Sequence, residues 1–115
     1  MSFPVTTRLT RDRTAVIMPG GEVDLDSAYR IREAVDAALV GRKPGKIVVD
    51  LGSVTMIDSI GIGVMVSCYH AAAACGVPLV AANAASTVYR QLWVSGLIGL
   101  FGLATPNLDQ EIAVA

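Results

Sequence analysis

Apolar and polar positions change rhythm several times along this chain, and each change marks an element. "PVTTRLT" and "RTAVIMPGGEVD" read as two extended segments with a turn around Arg11 to Arg13, an opening hairpin. Pro19 and the Gly20-Gly21 pair are expected to bend or end the second strand. From Asp26 the period lengthens. Ala28, Ile31, Val35, Ala38 and Leu39 recur at helical spacing, and Arg30, Arg32, Glu33 and Asp36 fall mostly between them. This predicts an amphipathic helix started by Asp26 or Ser27 and stopped by Gly41.

"GRKPG" then reads as a surface turn, and "KIVVDL" as the short apolar run of a central strand. A loop from Gly52 to Ile57 is expected to lead into a second helix, from Ser59 to Ala74, closed by Gly76. "VPLVAA" is another buried strand. "ASTVYRQLWVSG" predicts a third helix with Val88, Leu92 and Trp93 inward, and "LDQEIAV" a short C-terminal helix after Pro106. The order β-β-α-β-α-β-α-β-α predicts an α/β domain over residues 1–115. Its sheet is mixed and mainly parallel, with about four to five strands flanked by about four helices. Loops of parallel βα units gather at the C-terminal edge of a sheet, where ligands and partners engage, and Asp58 and Ser59 fall on such a loop.

Composition narrows the function classes. Lys and Arg number 9 against 10 Asp and Glu, and no window interleaves basic with aromatic residues, so the footprint of nucleic-acid binding is missing. Hydrophobic content of 53% raises the question of a membrane span between Ile60 and Ala82, but Ser67, His70 and Pro78 interrupt that stretch. A buried helix followed by a strand is the better reading. The N-terminal "MSFPVTTRLTRDR" lacks the apolar core of a signal peptide, so a cytoplasmic protein is expected. Cys68 and Cys75 share one predicted helix but are separated by a rise of roughly 10 Å, beyond disulfide reach. Two reduced thiols suit the cytosol.

Several kinds of catalysis are excluded by spacing. The only histidine, His70, stands about 16 Å along the helix from Ser59, too far to act as its general base. The nucleophile-elbow pattern also fails, because Ile57 occupies its first glycine position. Cys68 and His70 point about 200° apart on a helix and cannot share one metal ion. "GRKPGK" has the wrong glycine spacing for a phosphate loop, and Ile47 stands where Ser or Thr should follow. No catalytic set, cofactor or metal site is expected.

"TMIDSIGIGV", residues 55–64, remains. Asp58 or Ser59 is placed to cap the second helix, a contribution of about 1 kcal/mol. Gly61 and Gly63 argue for more than a cap, since each costs ~1 kcal/mol relative to Ala inside a helix. A serine at a helix N-terminus is also a favourable phosphorylation site, because free N–H groups stabilise the added dianion. Asp58, with Asp24 and Asp26 from the neighbouring loop, would oppose that charge and make the site a switch.

The wider stretch "VVDLGSVTMIDSIGIGVMV" resembles the signature of anti-sigma factor antagonists, the bacterial STAS domains, in which a strand, a short loop and D-S-S/T-G-L-G-V follow in this order. "GGEVDLDSAYRIREAV" is similar to the family's helix entry, and "LWVSGLIGLFGLATP" to its ending, so the resemblance covers nearly the whole chain. It implies a single STAS domain without enzymatic activity that captures an anti-sigma factor, often a GHKL-type Ser kinase, and frees a sigma factor. It further implies inactivation by that kinase and restoration by a PPM-type phosphatase. Carried over, Asp24 and Asp58 match acidic residues near the family's phosphorylation site, and Gly61 and Gly63 match its glycines. The second hydroxyl position of the motif, commonly the phosphate acceptor, is Ile60 here. Ser59 is the only hydroxyl left in it. The implied partner surface is Asp24, Asp58, Ser59, Ile60, Gly61 and Gly63. The alternative is a STAS-type scaffold subunit of a stressosome-like or lipid-transport complex.

Overall fold

A computed structural model describes residues 4–103. Five strands and three helices follow in the order β1 (Val5–Leu9), β2 (Thr14–Val23), α1 (Ala28–Leu39), β3 (Lys46–Asp50), β4 (Ser53–Ile57), α2 (Ser59–Ala74), β5 (Leu79–Ala82) and α3 (Ser86–Val94). The expected α/β class with a mixed, mainly parallel sheet is what forms. The helix expected at "LDQEIAV" lies outside the described residues. None of the described helices is long and apolar enough to cross a membrane.

The sheet runs β1-β2-β3-β5, antiparallel between β1 and β2 and parallel elsewhere, and β4 also pairs with β2. β2 is therefore shared along its length. Its first half, Thr14 to Ile17, pairs with Lys46 to Val49 of β3, and its second half, Gly20 to Val23, pairs with β4.

This division corrects two sequence expectations. Pro19 and Gly20-Gly21 do not end β2, which continues to Val23. Gly20 N–H donates to Pro4 C=O at 2.9 Å on the β1 side. Backbone groups alternate sides along a strand, so the nitrogen of Pro19 faces the opposite flank. It falls between the last pairing with β3, at Ile17, and the first with β4, at Gly20, where no ladder donor is needed. Gly21 takes φ 92°, a conformation that a side chain would resist, opposite the bulge that leaves Thr55 of β4 unpaired. The second correction concerns residues 53–57, expected as loop and found as β4, which follows β3 after a tight turn in which Gly52 N–H donates to Asp50 Oδ1.

The core forms between the sheet and its helices. Ile17, Ile47, Val49, Leu79 and Ala81 meet Ile31 and Val35 of α1 and Met65, Cys68 and Ala72 of α2 in one buried cluster. Helix α2 is apolar nearly all round, which fits a helix packed on more than one flank. Arg32 ties the two helices together, donating to Asp36 on its own helix at 2.9 Å and to Ser67 of α2 at 3.1 Å. In α3, Val88 and Leu92 are buried as expected. Trp93 is not inward: it is 52% exposed and tilts against Tyr89 one turn back. The segment after α3 forms turns and no strand up to Leu103. It nevertheless guards the edge of β5, since Phe101 C=O accepts from Ala81 N–H at 2.8 Å.

Candidate functional site

The pairing Val23↔Ile57 decides the geometry of the site. These residues end two parallel neighbouring strands, so the next residues, Asp24 and Asp58, leave the sheet side by side at its C-terminal edge. Asp58 N–H donates to Val23 C=O at 3.1 Å, which fastens the two exits to each other.

Asp58 is the cap of α2. Its backbone is extended, its carboxylate accepts from Gly61 N–H at 2.8 Å, and its carbonyl takes the first helical bond, from Ile62 N–H at 2.9 Å. Ser59 is therefore released from the capping role that the sequence left open between the two. It is exposed, and its hydroxyl makes no hydrogen bond among the described residues. Ile60 beside it is 44% exposed.

The two glycines separate in meaning. A Cβ on Gly61 would lie 2.6 Å from the Val23 carbonyl oxygen and 2.9 Å from Ile57 Cγ1, so this glycine lets α2 press against the strand ends. A Cβ on Gly63 would meet nothing within 4 Å. Packing gives no reason for that glycine. Because Ser59 and Gly63 are four apart on α2, the bare backbone at Gly63 lies on the same face as the free hydroxyl.

Asp24 is more structural than an acidic loop residue suggests. Its Oδ1 accepts from Asp26 N–H at 3.0 Å, and its carbonyl accepts from Ala28 N–H at 2.9 Å as α1 begins. The buried Ser27 locks the loop, donating its hydroxyl to Glu22 C=O at 2.6 Å and accepting from Asp24 N–H at 3.1 Å. Both acidic residues thus order the chain through acceptor atoms.

Residues 7–113 match the family model of the STAS domain. The chain belongs to the STAS family. No curated protein sequence matches it. Among solved structures, this STAS domain is similar to the Bacillus anti-sigma factor antagonist SpoIIAA in its unphosphorylated form, at 21% identity and a TM-score of 0.73, over 95% of this chain and 93% of that one. It is similar to an anti-sigma factor antagonist from Mycobacterium paratuberculosis at 26% identity and a TM-score of 0.69, over 99% and 97% of the two chains. A sulfate transporter family protein from Wolinella succinogenes shares the fold at 16% identity and a TM-score of 0.70, over 82% and 75%. One fold thus serves proteins of different description, and the site has to distinguish them.

The fold brings Asp24, Asp58, Ser59, Ile60, Gly61 and Gly63 to one edge of the molecule, with Gly61 turned into the packing. Sequence reasoning missed the role of Ser27, which it weighed only as a helix start. The three-residue spacing from Asp24 to Ser27 was the signal. It also passed over Leu25, which stands 69% exposed between Asp24 and Asp26. Among the described residues no group of three or more His, Cys, Asp or Glu is placed to hold a metal ion. His70 is exposed on α2, edge-on to Tyr69. Cys68 is wholly buried, and that burial pushes its thiol up to about 11, with Arg32 pulling slightly the other way.

Proposed function

We propose that this STAS domain is an anti-sigma factor antagonist that works by binding, not catalysis, in the cytoplasm. The edge formed by Asp24, Asp58, Ser59, Ile60 and Gly63 receives an anti-sigma factor of the GHKL-type Ser kinase class, and the captured factor releases its sigma factor. The observation that carries this reading is Ser59: an exposed hydroxyl with no internal bond, set beside a carboxylate that already does the capping. A group left free at the start of a helix is open to a partner. Phosphorylation of Ser59 adds about −1.5 to −2 charges next to Asp58 and Asp24, which repels a close interface and desolvates poorly within it. A PPM-type phosphatase would restore the binding form.

Phosphosite mapping after incubation with the cognate kinase and ATP tests the reading. Phosphate on Ser59, and loss of binding in Ser59→Asp with binding kept in Ser59→Ala, is the expected result. Phosphate elsewhere in the chain, or full binding by Ser59→Asp, would overturn the switch.

Ile60 favours a second reading, since it fills with a half-exposed apolar side chain the position where the motif commonly carries a second hydroxyl. On that reading the chain is a scaffold subunit of a stressosome-like or lipid-transport assembly. A pull-down from native cytoplasm separates the two. Recovery of an ATPase-fold regulator supports the antagonist, and recovery of large STAS assemblies or transporter subunits supports the scaffold.

A further inference from the structure

Charges of opposite sign predominate at the two ends of β2. Arg11 and Arg13 lie in the β1–β2 turn, and Arg42 follows α1, beside the start of the strand. Glu22, Asp24, Asp26 and Asp58 lie where the strand finishes. The two ends are separated by about 30 Å at ~3.3 Å per residue.

The basic end is concave. A groove of about 620 Å³ opens between the β1–β2 turn and the end of α1, with Leu9, Ala38 and Val40 among its apolar walls and Arg11, Arg13 and Arg42 around it. Leu9 is 66% and Val40 77% exposed, so the walls are wet in the isolated chain. Arg13 is fixed from both sides: its guanidinium donates to Lys43 C=O, and its own carbonyl accepts from Gly45 N–H. Arg11 and Arg42 make no ion pair or hydrogen bond among the described residues. Of the nearby carboxylates, Asp12 stays charged within the turn, so the arginines outnumber it there, and Asp36 is paired with Arg32. Asp12 is held by the Thr10 hydroxyl and Thr14 N–H.

The acidic end carries the complementary pattern. Leu25 projects between Asp24 and Asp26, on a loop whose shape is fixed by the Ser27 hydroxyl and the Asp24 carboxylate. The Asp26 side chain makes no hydrogen bond or ion pair among the described residues, and Arg30 lies over the Tyr29 ring, 5.7 Å from its centroid. One exposed leucine is ordinary on a protein surface. A leucine framed by two carboxylates is distinctive when the same molecule carries an apolar groove framed by three arginines.

We infer that the groove receives the Asp24-Leu25-Asp26 tip of a second copy of this chain. Leu25 seats against Leu9, Ala38 and Val40, and the Asp26 carboxylate faces Arg11 and Arg42. Tip and groove lie at opposite ends of one molecule, so the contact is head-to-tail and leaves a free tip and a free groove on every pair. Association extends into open chains instead of closing as a symmetric dimer. The contact is small, in the class of weak encounters below about 1,200 Å², and depends on exposed charge, so salt disperses it.

Sedimentation equilibrium of the purified chain is the test. At low salt the average mass should rise continuously with concentration beyond that of a dimer, and return to the monomer when salt shortens the screening length to about 3 Å at 1 M. Arg11→Glu with Arg42→Glu should leave a monomer under all these conditions, and so should Leu25→Ser with Asp26→Asn. Circular dichroism confirms that each pair of changes leaves the fold intact. Mixed together, the two monomeric variants should form a one-to-one pair that grows no further, since one keeps its tip and the other its groove. Monomeric wild type at low salt, a closed dimer, or association that survives either pair of changes would overturn the inference. No anti-sigma factor enters the experiment, so its outcome is independent of the function proposed above.

Discussion

Val23 and Gly61 meet backbone against backbone, so closely that the Cβ which Gly61 lacks would lie 2.6 Å from the Val23 carbonyl oxygen. The same carbonyl accepts the N–H of Asp58. One peptide group at the end of β2 therefore sets how near α2 comes and where its capping residue sits.

Gly61→Ala should consequently destabilise the fold, by about 1–3 kcal/mol of overpacking set against the ~1 kcal/mol that alanine gains in a helix. Gly63→Ala should do the reverse, raising stability by up to ~1 kcal/mol because its added methyl meets nothing. Denaturant unfolding of the two variants checks the contrast. Equal shifts of the same sign would mean that the close approach at Gly61 is not what sets its requirement.

Asp58 and Ser59 should separate in the same measurement. Asp58→Ala removes the acceptor for Gly61 N–H and should cost about 1 kcal/mol, whereas Asp58→Asn keeps an oxygen there and should cost a few tenths. Ser59→Ala should stay within ~0.5 kcal/mol, as surface changes do. A loss at Ser59 as large as that at Asp58 would return the serine to a structural role.

The thiols should differ in reactivity. At pH 8 an alkylating reagent should modify the half-buried Cys75 and leave the buried Cys68, which reacts only after unfolding. The Cys68 pKa, about 11, is raised above the ~8.5 of a free thiol, so the folded state holds this proton more tightly than the unfolded chain does. Its contribution to stability is complete below about pH 8.5 and is lost as pH rises toward 11. Cys68→Ala should flatten the fall in stability over that window. An unchanged slope would assign the alkaline sensitivity elsewhere.

Ile60→Ser restores the two-hydroxyl motif at an exposed position and should leave unfolding nearly unchanged, within ~0.5 kcal/mol. Exposed to the Ser kinase of the proposed function, this variant should be modified faster than wild type. Phosphate found on residue 60 of the variant, with wild type unmodified, would make Ser59 a bystander and the wild-type chain a constitutive binder.

The sequence was legible where a single rule governed an element. The spacing of Ala28, Ile31 and Val35 gave α1, and the Asp-Ser-x-Gly run placed the start of α2, because helix periodicity and capping are local. It was misleading where pairing in space overrode local preference. Pro19 looked like a terminator until the exchange of β3 for β4 removed the need for its N–H. β4 escaped notice because Thr55 is the extra residue of a bulge opposite Gly21 and Glu22 of β2, so Thr55 and Met56 are both exposed and the alternation of a half-buried strand breaks there. In the site, the residue types could be read, but the division of labour between Gly61 and Gly63, or between Asp58 and Ser59, depends on what stands across from each.

The shared strand β2 also bears on the order in which the molecule assembles during synthesis. Of the strand pairs in the sheet, only β1 with β2 joins neighbours in sequence, so this hairpin closes the shortest loop and forms first. By the time residues 5–23 have left the ribosome, the free flank of β2 already offers two landing tracks end to end. β3 claims one of them only after α1 has been made, and β4 claims the other a few residues later. Until then the growing chain presents an unpaired apolar edge, and that interval is when it is most open to pairing with a foreign strand.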